Sequence, residues 1–509
     1  MDPYETSELR RRTKIVATLG PATDDPQVLE SLLLAGADVL RLNFSHGTTQ
    51  QNSERVRQVR DISARIGRDV GLMCDLQGPK VRIERFAKGV AVLADGQRFI
   101  LDTAPDAGPG DESRVSVEYR DLVNDVVPGD MLLLDDGQIV LEVYKVEGSE
   151  VRCWVQRGGT LTNKKGLNKG GGGLSAPALS DKDRLDIDLA ARLGMDYVSV
   201  SFARNAADIE EARGLLRAAG GHGLICAKIE RAEAVENIEE IIDASDVIMV
   251  ARGDLAVEVG YASMTSLQKG LIMETRNRNK VSITATQMLE SMINNPSPTR
   301  AEVSDVANAV MDGTDAVMLS AETAIGRYPA EALRTMSSLC IGAERHETVR
   351  RPESYQPEEI FSRVDEAIAL AAMYTANHLN VKAIIAFTES GSTALWMSRV
   401  RSDIPIYAFT RHETTRRRVT LYRGVYPATF DVCQTEPSEV YRTAIQVLAS
   451  ERMVSNGDLV LFTAGGQRGV SGGTDTLQIL KVGAEAEIGS TADVAGIAAR
   501  WHLSRQIRA

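Results

Sequence analysis

Short apolar runs recur between residues 14 and 320, and a polar side chain follows nearly every one of them. Eight runs have the length and composition of buried strands: 14–20, 38–44, 70–76, 197–202, 224–230, 247–251, 281–286 and 316–320. Helical stretches separate most of them, as in a (β/α)8 barrel. The polar residues then lie at the carboxyl ends of the strands, where such barrels carry their active sites. The sequence therefore predicts an enzyme.

Size and composition narrow the class of protein. A chain of 509 residues exceeds one hydrophobic core, so about three domains are expected. No apolar run is long enough to cross a bilayer, and the first residues lack the apolar core of a signal peptide. A net charge of −12 argues against general nucleic-acid binding, and the five cysteines are widely spaced. We expect a cytoplasmic protein with reduced thiols and with no nucleic-acid or membrane partner.

The barrel pattern is interrupted at residues 79–176. Short alternating runs occur there at 90–93, 98–101, 131–134, 139–146 and 151–156, broken by Asp-Gly and Pro-Gly turns. They predict a small all-β domain inserted into a barrel formed by 1–78 and 177–348. Four glycines at 170–173 leave the backbone free to pivot, so the insertion is interpreted as a mobile lid. A rigid insertion is the alternative.

A second change of pattern follows the eighth run. The polar, proline-bearing stretch 350–357 marks a boundary, after which runs at 383–388, 405–410, 425–430 and 458–463 alternate with helical segments. A last run at 475–482 completes an open α/β regulatory domain, predicted over 349–483. The glycine-rich segment 465–473 is interpreted only as a flexible loop. Residues 484–509 form an extension of unassigned role.

A Lys-x-Glu pair ends the fifth run. Lys228 and Glu230 are two residues apart on a strand, so their side chains project to the same side. Asp254 follows the next strand, and two carboxylates from adjacent strands can share Mg²⁺ with water and substrate oxygens. Lys228 would face the substrate as a compact point charge. Alone, such a pair is more often a simple ion pair, and its neighbours favour the catalytic interpretation.

Two further groups carry charge suited to phosphate. Arg41, Asn43 and Ser45 share one side of an extended segment, where a guanidinium and neutral oxygens suit a phosphoryl group and a cation. A capped turn into the next helix is the alternative. Arg82 enters the inserted domain, and Lys164 and Lys165 lie near its exit, so they can supply positive charge to a nucleotide as the lid closes. A solvated basic face is the alternative for the lysine pair. No P-loop or dinucleotide fingerprint is present.

Six segments resemble one family, pyruvate kinase. They are 13–23 (TKIVATLGPAT), 41–47 (RLNFSHG), 227–230 (AKIE), 249–255 (MVARGDL), 284–292 (TATQMLESM) and 298–310 (PTRAEVSDVANAV). The resemblance covers about 13–483, in the family's order of barrel, lid, barrel and regulatory domain. It implies a glycolytic enzyme that moves the phosphoryl group of phosphoenolpyruvate to ADP, giving pyruvate and ATP. It also implies a homotetramer.

The resemblance implies roles for individual residues. Glu230 and Asp254 would hold Mg²⁺, with Mn²⁺ as the alternative, and a second Mg²⁺ would arrive with ADP. The residues that would bind substrate or take part in the chemistry are Arg41, Lys228, Gly253, Asp254, Thr286, Ser320 and Glu322. Thr286 would hold the water that protonates the enolate, with Ser320 and Glu322 as a relay. The nucleotide-contacting residues would be Asn43, His46, Arg82 and Lys165.

The segment 388–393 is the predicted effector site. Its hydroxyls and amides lie at a strand-to-helix turn that can hold an anion, and an ordinary helix cap is the alternative. In the resembling family this segment grips an effector phosphate, so we expect a sugar monophosphate or a nucleoside monophosphate. The residues concerned are Thr388, Ser390, Gly391, Ser392 and Thr393.

Residues 75–80 bear on potassium. Potassium-dependent members of the family have Asp-Thr-Lys-Gly-Pro-Glu where this chain has Asp-Leu-Gln-Gly-Pro-Lys. The threonine has become Leu76 and the glutamate has become Lys80, whose positive charge removes the need for K⁺. The alternative is that K⁺ still binds through Asn43, Ser45 and Asp75.

Two other functions compete with this interpretation. One is another Mg²⁺-dependent barrel enzyme that acts on phosphoenolpyruvate or pyruvate, an aldolase or a mutase, against which the inserted lid and the 41–47 segment argue. The other is a catalytically silent regulatory homologue, against which the presence of every charged matching residue argues.

Overall fold

The computed structural model describes residues 10–105, 107–346, 361, 363–467 and 469–483. The boundary stretch 350–357 and the extension 484–509 lie outside the described residues. Its strands, in chain order, are β1 (Lys14–Thr18), β2 (Val39–Asn43), β3 (Gly71–Asp75), β4 (Val90–Leu93), β5 (Arg98–Asp102), β6 (Arg114–Ser116), β7 (Met131–Leu134), β8 (Ile139–Glu147), β9 (Glu150–Arg157), β10 (Gly159–Thr162), β11 (Leu167–Lys169), β12 (Tyr197–Val200), β13 (Leu224–Ile229), β14 (Val247–Ala251), β15 (Val281–Ala285), β16 (Ala316–Leu319), β17 (Ala383–Phe387), β18 (Ile406–Thr410), β19 (Val425–Thr429), β20 (Leu459–Gly465) and β21 (Thr474–Lys481).

The helices fall between these strands. The α-helices are Pro26–Leu34, Thr49–Ile66, Leu122–Asp125, Asp181–Arg192, Ala206–Ala218, Ala232–Glu236, Ile238–Ala244, Arg252–Val259, Tyr261–Asn277, Arg300–Asp312, Ala321–Ala324, Pro329–Glu344, Val364–His378, Ser392–Arg399, Glu413–Val419 and Val440–Ser450. Short 3-10 turns occupy Pro21–Thr23, Glu290–Ile293 and Pro437–Glu439. None of the helices in the described ranges is long and apolar enough to cross a membrane.

Eight strands close into a barrel in the order β1-β16-β15-β14-β13-β12-β3-β2. Each of the eight predicted runs contains one of these strands, with ends that differ by at most two residues. The strands are predominantly apolar and mostly buried, as expected where helices cover the outside of a sheet and side chains fill the inside, and their polar residues include Arg41 and Lys228. The predicted fold class is confirmed.

Local signals set the ends of two long helices in the barrel region. Thr48 caps the helix Thr49–Ile66 through a capping box with Gln51, and Thr299 caps Arg300–Asp312 in the same way. A glycine ends each helix in the left-handed conformation, Gly67 at φ 66° and Gly313 at φ 95°. These helices therefore begin and end where their own sequence directs.

The described residues form two compact units. One contains residues up to 74, the short stretch 193–197 and residues from 275 onward; the other contains 75–192 and 198–274. In the second unit the inserted segment forms a six-stranded sheet, β11-β7-β8-β9-β5-β6, and a separate pair, β10-β4. Alternate residues of β8 point into an apolar core that includes Phe99 and Leu141. The insertion is thus all-β apart from one short helix.

The last sheet lies in the first unit. Its order is β19-β18-β17-β20-β21, with the first four strands parallel and β21 antiparallel to β20. Phe387, Phe409, Phe430 and Phe462 pack together in its core, with ring centroids 5.4–6.2 Å apart in the closest pairs. Such a sheet presents the loops after its parallel strands along one edge.

Candidate active site

A buried cluster of charge surrounds Lys228 in the second unit. The Lys228 Nζ lies 2.9 Å from Glu230 Oε1, 3.3 Å from Asp75 Oδ1 and 2.8 Å from Ser201 Oγ. Asp75 ends β3, Ser201 follows β12, and Lys228 lies on β13, so each comes from the carboxyl end of a barrel strand. We call Asp75, Ser201, Lys228 and Glu230 the lysine cluster. Its contacts hold the ammonium in one position.

Glu230 is held from a second direction. Its Oε2 accepts a hydrogen bond of 2.9 Å from the amide of Phe202, whose φ of 56° is unusual for a bulky residue. Strain of this kind persists where the surrounding structure requires it and is common at functional sites. Burial raises the pKa of Glu230, and the carboxylates of Asp254 and Asp75 raise it further against the lowering effect of Lys228. Negative charge is therefore concentrated here.

Asp254 lies in a helix. As the sequence predicted, Asp254 follows β14; the helix Arg252–Val259 begins directly after that strand and places Asp254 in its first turn. The Asp254 Oδ1 lies 3.2 Å from Lys80 Nζ. The amide of Gly253, the predicted carboxylate donor, belongs to the same first turn.

The residues present fit a magnesium ion that is completed by water and substrate. Mg²⁺ is commonly held by one or two carboxylates plus waters and substrate oxygens. Glu230 and Asp254 supply two carboxylates that interact electrostatically. No group of three or more His, Cys, Asp or Glu with metal-binding geometry occurs among the described residues. The donor set thus matches an ion that keeps open positions.

The predicted lid residues are engaged with the inserted domain. The Arg82 Nη1 donates to the Lys164 carbonyl at 3.0 Å, and the Lys165 Nζ lies 2.7 Å from Asp135 Oδ1. Lys164 pairs with Glu84 at 2.7 Å and also with Glu118. Lys164 is therefore tied into the insertion by two carboxylates, and Lys165 by one.

Arg41 and its neighbours lie in the first unit. The Arg41 Nη1 donates to Thr18 Oγ1 at 3.0 Å, and Thr18 Oγ1 donates to the Leu319 carbonyl at 2.8 Å. Arg41 is buried, and this chain of contacts links β2, β1 and β16. The guanidinium is accordingly fixed by residues at the carboxyl ends of three strands.

The turn after β2 is built by Asn43. Its Oδ1 accepts the amide of Ser45 at 3.0 Å, and its carbonyl accepts the amide of His46 at 3.1 Å. His46 is exposed. The following helix has Thr48 as its N-cap, so neither Ser45 nor Gly47 caps it. The side chain of Asn43 shapes this loop locally, in the manner of an Asx-turn.

Glu322 joins two loops of the first unit. Its carboxylate accepts the amide of Ser320 at 2.7 Å and the amide of Leu289 at 3.1 Å, and burial raises its pKa. Thr286, after β15, has a φ of 68°, and its Oγ1 donates to the Ala285 carbonyl at 2.6 Å. These contacts make Glu322 a positioning residue for the loops after β15 and β16.

A cleft lies beside the predicted effector segment. It has a volume of about 520 Å³, including its open mouth, and Thr388, Ser392 and Thr393 line it. Gly391 has φ 91°, its amide donates to Thr388 Oγ1 at 2.9 Å, and the helix after it has no side-chain cap. Thr393 Oγ1 lies 2.8 Å from Thr474 Oγ1.

The glycine-rich segment 465–473 also lines this cleft, which was not predicted from the sequence. Gly465, Gly469 and Val470, from the segment interpreted only as a flexible loop, line it opposite the hydroxyls. The signal was available, because this loop follows β20, which pairs with β17 in the parallel sheet. Loops after neighbouring parallel strands meet at one edge of a sheet.

Two family models match the chain. The pyruvate kinase barrel domain covers residues 10–333 and the pyruvate kinase alpha/beta domain covers 366–480. The chain belongs to the pyruvate kinase family. Pyruvate kinase II of Salmonella typhimurium is 50% identical over 476 residues, which is 93% of this chain and 99% of that protein.

Other pyruvate kinases agree. That of Haemophilus influenzae is 49% identical over 462 residues, covering 90% of this chain and 96% of that protein. A crystal structure of a pyruvate kinase from Cryptosporidium parvum superposes with a TM-score of 0.85 at 32% identity, covering 92% of this chain and 96% of that one. The chain is therefore a glycolytic phosphotransferase that converts phosphoenolpyruvate and ADP to pyruvate and ATP. This activity argues against both alternative functions, the aldolase or mutase and the silent regulatory homologue. The pyruvate kinase family uses Mg²⁺.

Proposed function

We propose that the lysine cluster and Asp254 carry the phosphoryl transfer in this chain. The observation that supports this is the buried Lys228 ammonium, fixed by Glu230, Asp75 and Ser201 at 2.8–3.3 Å. Phosphoryl transfer needs mainly positioning and neutralisation of the charge on the equatorial oxygens. A cation held in place beforehand stabilises that charge without reorganising during the reaction. Lys228 is the residue to which we assign this role.

Glu230 and Asp254 are the proposed magnesium ligands. Mg²⁺ would neutralise charge and hold substrate oxygens when bound. The chain's own part is to aim both carboxylates: the Phe202 amide orients Glu230, and the first turn of a helix presents Asp254 and the Gly253 amide. In this proposal the Gly253 amide donates to the substrate carboxylate.

Residues of the first unit are assigned to the same reaction through family membership. Arg41, fixed by Thr18, would add a second positive charge for the phosphoryl group. Thr286 would hold the water that protonates the enolate, and its positive φ fits a residue kept in place for function. Ser320 and Glu322 would act by holding the loop that follows β16.

The magnesium ligands can be tested apart from activity. Mn²⁺ binding to the full chain is measured by the paramagnetic resonance of the free ion, for the native protein, Glu230→Gln and Asp254→Asn. We expect both variants to lose tight binding, whereas Glu236→Gln, an exposed residue six positions away, keeps it. Unchanged Mn²⁺ affinity in both carboxylate variants would refute the assignment.

The inserted segment, over 79–176, is the proposed lid of a barrel formed by 1–78 and 177–348. Gly171, Gly172 and Gly173 have φ values of 78°, 80° and 93°, a conformation that favours glycine, and they lie where the chain leaves the insertion. Arg82 and Lys165 would bring positive charge to the nucleotide, together with Asn43 and His46. The effector domain would span 349–483. We further propose that the protein is a cytoplasmic homotetramer. Sedimentation equilibrium tests the number of subunits.

Potassium independence is supported by one contact. The Lys80 Nζ lies 3.2 Å from Asp254 Oδ1, so the lysine already places a positive charge beside a proposed magnesium ligand. We expect full turnover in tetramethylammonium buffer without KCl, and potassium dependence in Lys80→Glu. Lys88→Glu, on an exposed part of the insertion, is the matched control and stays independent. Many-fold activation of the native enzyme by KCl would overturn this proposal. That result would favour the alternative in which Asn43, Ser45 and Asp75 hold the ion.

The cleft beside Thr388 is the proposed effector site. Its backbone amides and its hydroxyls at Thr388, Ser392 and Thr393 suit a phosphate, and Ser390 Oγ lies 3.1 Å from Ser392 Oγ. The glycine loop that also lines the cleft leaves room for the rest of a sugar or nucleoside monophosphate. Ser390→Glu should abolish activation by AMP and glucose 6-phosphate, while Ser455→Glu, exposed in the same domain, should not. An unaltered effector response and substrate cooperativity in Ser390→Glu would place the site elsewhere.

A further inference from the structure

A second cavity lies in the first unit. Its lining residues differ from those of the effector cleft, and so does their chemistry. Its volume is about 440 Å³ including its mouth, and four arginines line it: Arg12, Arg276, Arg401 and Arg423. Ser398, Ser402 and Gly313 also line it. We call this cavity the arginine pocket. No carboxylate is among its lining residues.

Arg423 is held by a backbone carbonyl and not by a carboxylate. Its Nη1 donates to the Thr314 carbonyl at 2.9 Å, and within the described ranges it forms no ion pair. Burial and the charges of Arg12 and Arg276 lower its pKa to about 10, against the raising effect of Glu344 and Asp315. A partly buried guanidinium that is always charged and repelled by its neighbours is costly unless something balances it.

The two carboxylates that act on Arg423 from a distance are used by other groups. Asp315 accepts both Nη atoms of Arg399, at 2.8 Å and 2.5 Å. Glu344 accepts the amide and hydroxyl of Thr13 at 2.6 Å and 2.7 Å, and it also accepts the amide of Arg12. Glu344 and Asp403 also pair with Arg12, so Arg12 is balanced, whereas Arg423 forms no ion pair with the described residues.

The arginines are also held in place around the cavity. The Arg12 Nη1 donates to the Ser402 carbonyl at 2.7 Å, and the Arg276 Nη2 donates to the Arg399 carbonyl at 3.0 Å. A Cβ at Gly313 would lie 2.9 Å from Arg276 Nη1, so the glycine leaves room for that guanidinium. Fixed guanidiniums are the groups that bind phosphate through paired hydrogen bonds.

We propose that the arginine pocket binds a phosphate group, either as the free anion or as part of a small phosphorylated molecule. Arg423 contacts the anion, and Arg12, Arg276 and Arg401 neutralise it. The bound anion connects the segment before β19, the loop 400–404 and the end of the helix Tyr261–Asn277, all of which contribute lining residues.

The test counts phosphate sites in the full chain. Equilibrium dialysis with radiolabelled inorganic phosphate, at constant ionic strength, compares the native protein with Arg423→Met, Arg401→Met and the control Arg334→Met, an exposed arginine on the helix Pro329–Glu344. We expect the native protein and the control to bind one phosphate per chain more than Arg423→Met does, and Arg401→Met to bind that phosphate more weakly. Equal stoichiometry and affinity in all four proteins would overturn the proposal.

Two further arms identify the source of the phosphate and separate this site from the effector cleft. Displacement of the Arg423-dependent phosphate by AMP or glucose 6-phosphate indicates a phosphorylated molecule, and its absence indicates the free anion. Ser390→Glu should keep the Arg423-dependent phosphate. If that variant loses it instead, the phosphate belongs to the effector cleft and the arginine pocket is not a site. Should Arg423→Met unfold, Arg423→Lys, which keeps the charge but not the paired hydrogen bonds, must show weakened phosphate binding.

Discussion

The lysine cluster and the arginine pocket both concentrate charge, and the predominant sign differs between them. In the first, one ammonium lies against two carboxylates, and a third, Asp254, raises the pKa of Glu230. In the second, four guanidiniums line a cavity that has no lining carboxylate; Glu344 and Asp403 pair with Arg12, and Arg423 forms no ion pair with the described residues. Charge that is removed from water must be paired or neutralised by a ligand. The predominant sign therefore indicates what each group binds, a metal cation in one and a phosphate in the other.

The largest expected effect concerns a balanced arginine next to the pocket. Arg399→Met leaves Asp315 buried without its partner, and breaking such a pair costs about 3–5 kcal/mol. Urea unfolding of the full chain is monitored by tryptophan fluorescence and circular dichroism. The first unfolding transition should shift to a lower urea concentration, equivalent to that loss of free energy. Arg334→Met, at an exposed pair, should leave it unmoved. A loss below about 1 kcal/mol would mean that the distinction between balanced and unbalanced arginines is wrong.

Removing the lysine from the other group should mainly affect catalysis. Lys228→Ala is expected to lower kcat by about 10²–10³-fold, equal to about 2.7–4 kcal/mol, because the fixed charge acts on the transition state. The circular dichroism spectrum and Mn²⁺ binding should remain close to native. Lys182→Ala, which removes an exposed lysine that pairs with Asp186, is the control for the assay. Near-native turnover in Lys228→Ala would contradict the role given to the lysine cluster.

Excess positive charge should also appear in the pH dependence of stability. Lys14 is buried against the Tyr426 ring at 4.4 Å, and burial lowers its pKa from 10.5 to about 8, with Arg11 and Arg68 lowering it and Asp38 and Glu344 opposing them. The unfolded chain then binds more protons than the folded one between pH 8 and 10.5, so the free energy of unfolding rises with pH in that window, by up to about 3 kcal/mol. Subtracting the profile of Lys14→Met isolates this contribution. A difference that is flat or falling across the window would show that Lys14 is not the buried charge responsible.

The smallest effect should come from Arg423 itself. In buffer without phosphate, Arg423→Met is expected to change the free energy of unfolding by less than about 1 kcal/mol, since it exchanges one backbone hydrogen bond and an unpaired charge for apolar packing. Added phosphate should then stabilise the native protein more than the variant. A loss of unfolding free energy as large as that of Arg399→Met would instead show that Arg423 has a structural role.

The fold was largely predictable, and its errors have local causes. The barrel strands are predominantly apolar, so each was found within two residues. Three strands of the insertion were missed, β6, β10 and β11, because they are three or four residues long and rich in polar side chains. The helical position of Asp254 was missed because nothing in the local sequence marks the absence of a loop after β14.

The sequence by itself determined the barrel, the inserted sheet and the family, because these depend on apolar periodicity, turn residues and long motifs that can be read locally. It also indicated Lys228, Glu230 and Asp254 as chemistry-bearing residues, since their positions follow from strand ends. Only the tertiary structure decided which buried charges are balanced. Asp315 and Arg399 pair across 84 positions, and Arg12 and Arg423 face one cavity from opposite ends of the described chain. Charge balance depends on distances between such residues, and no local pattern encodes those distances.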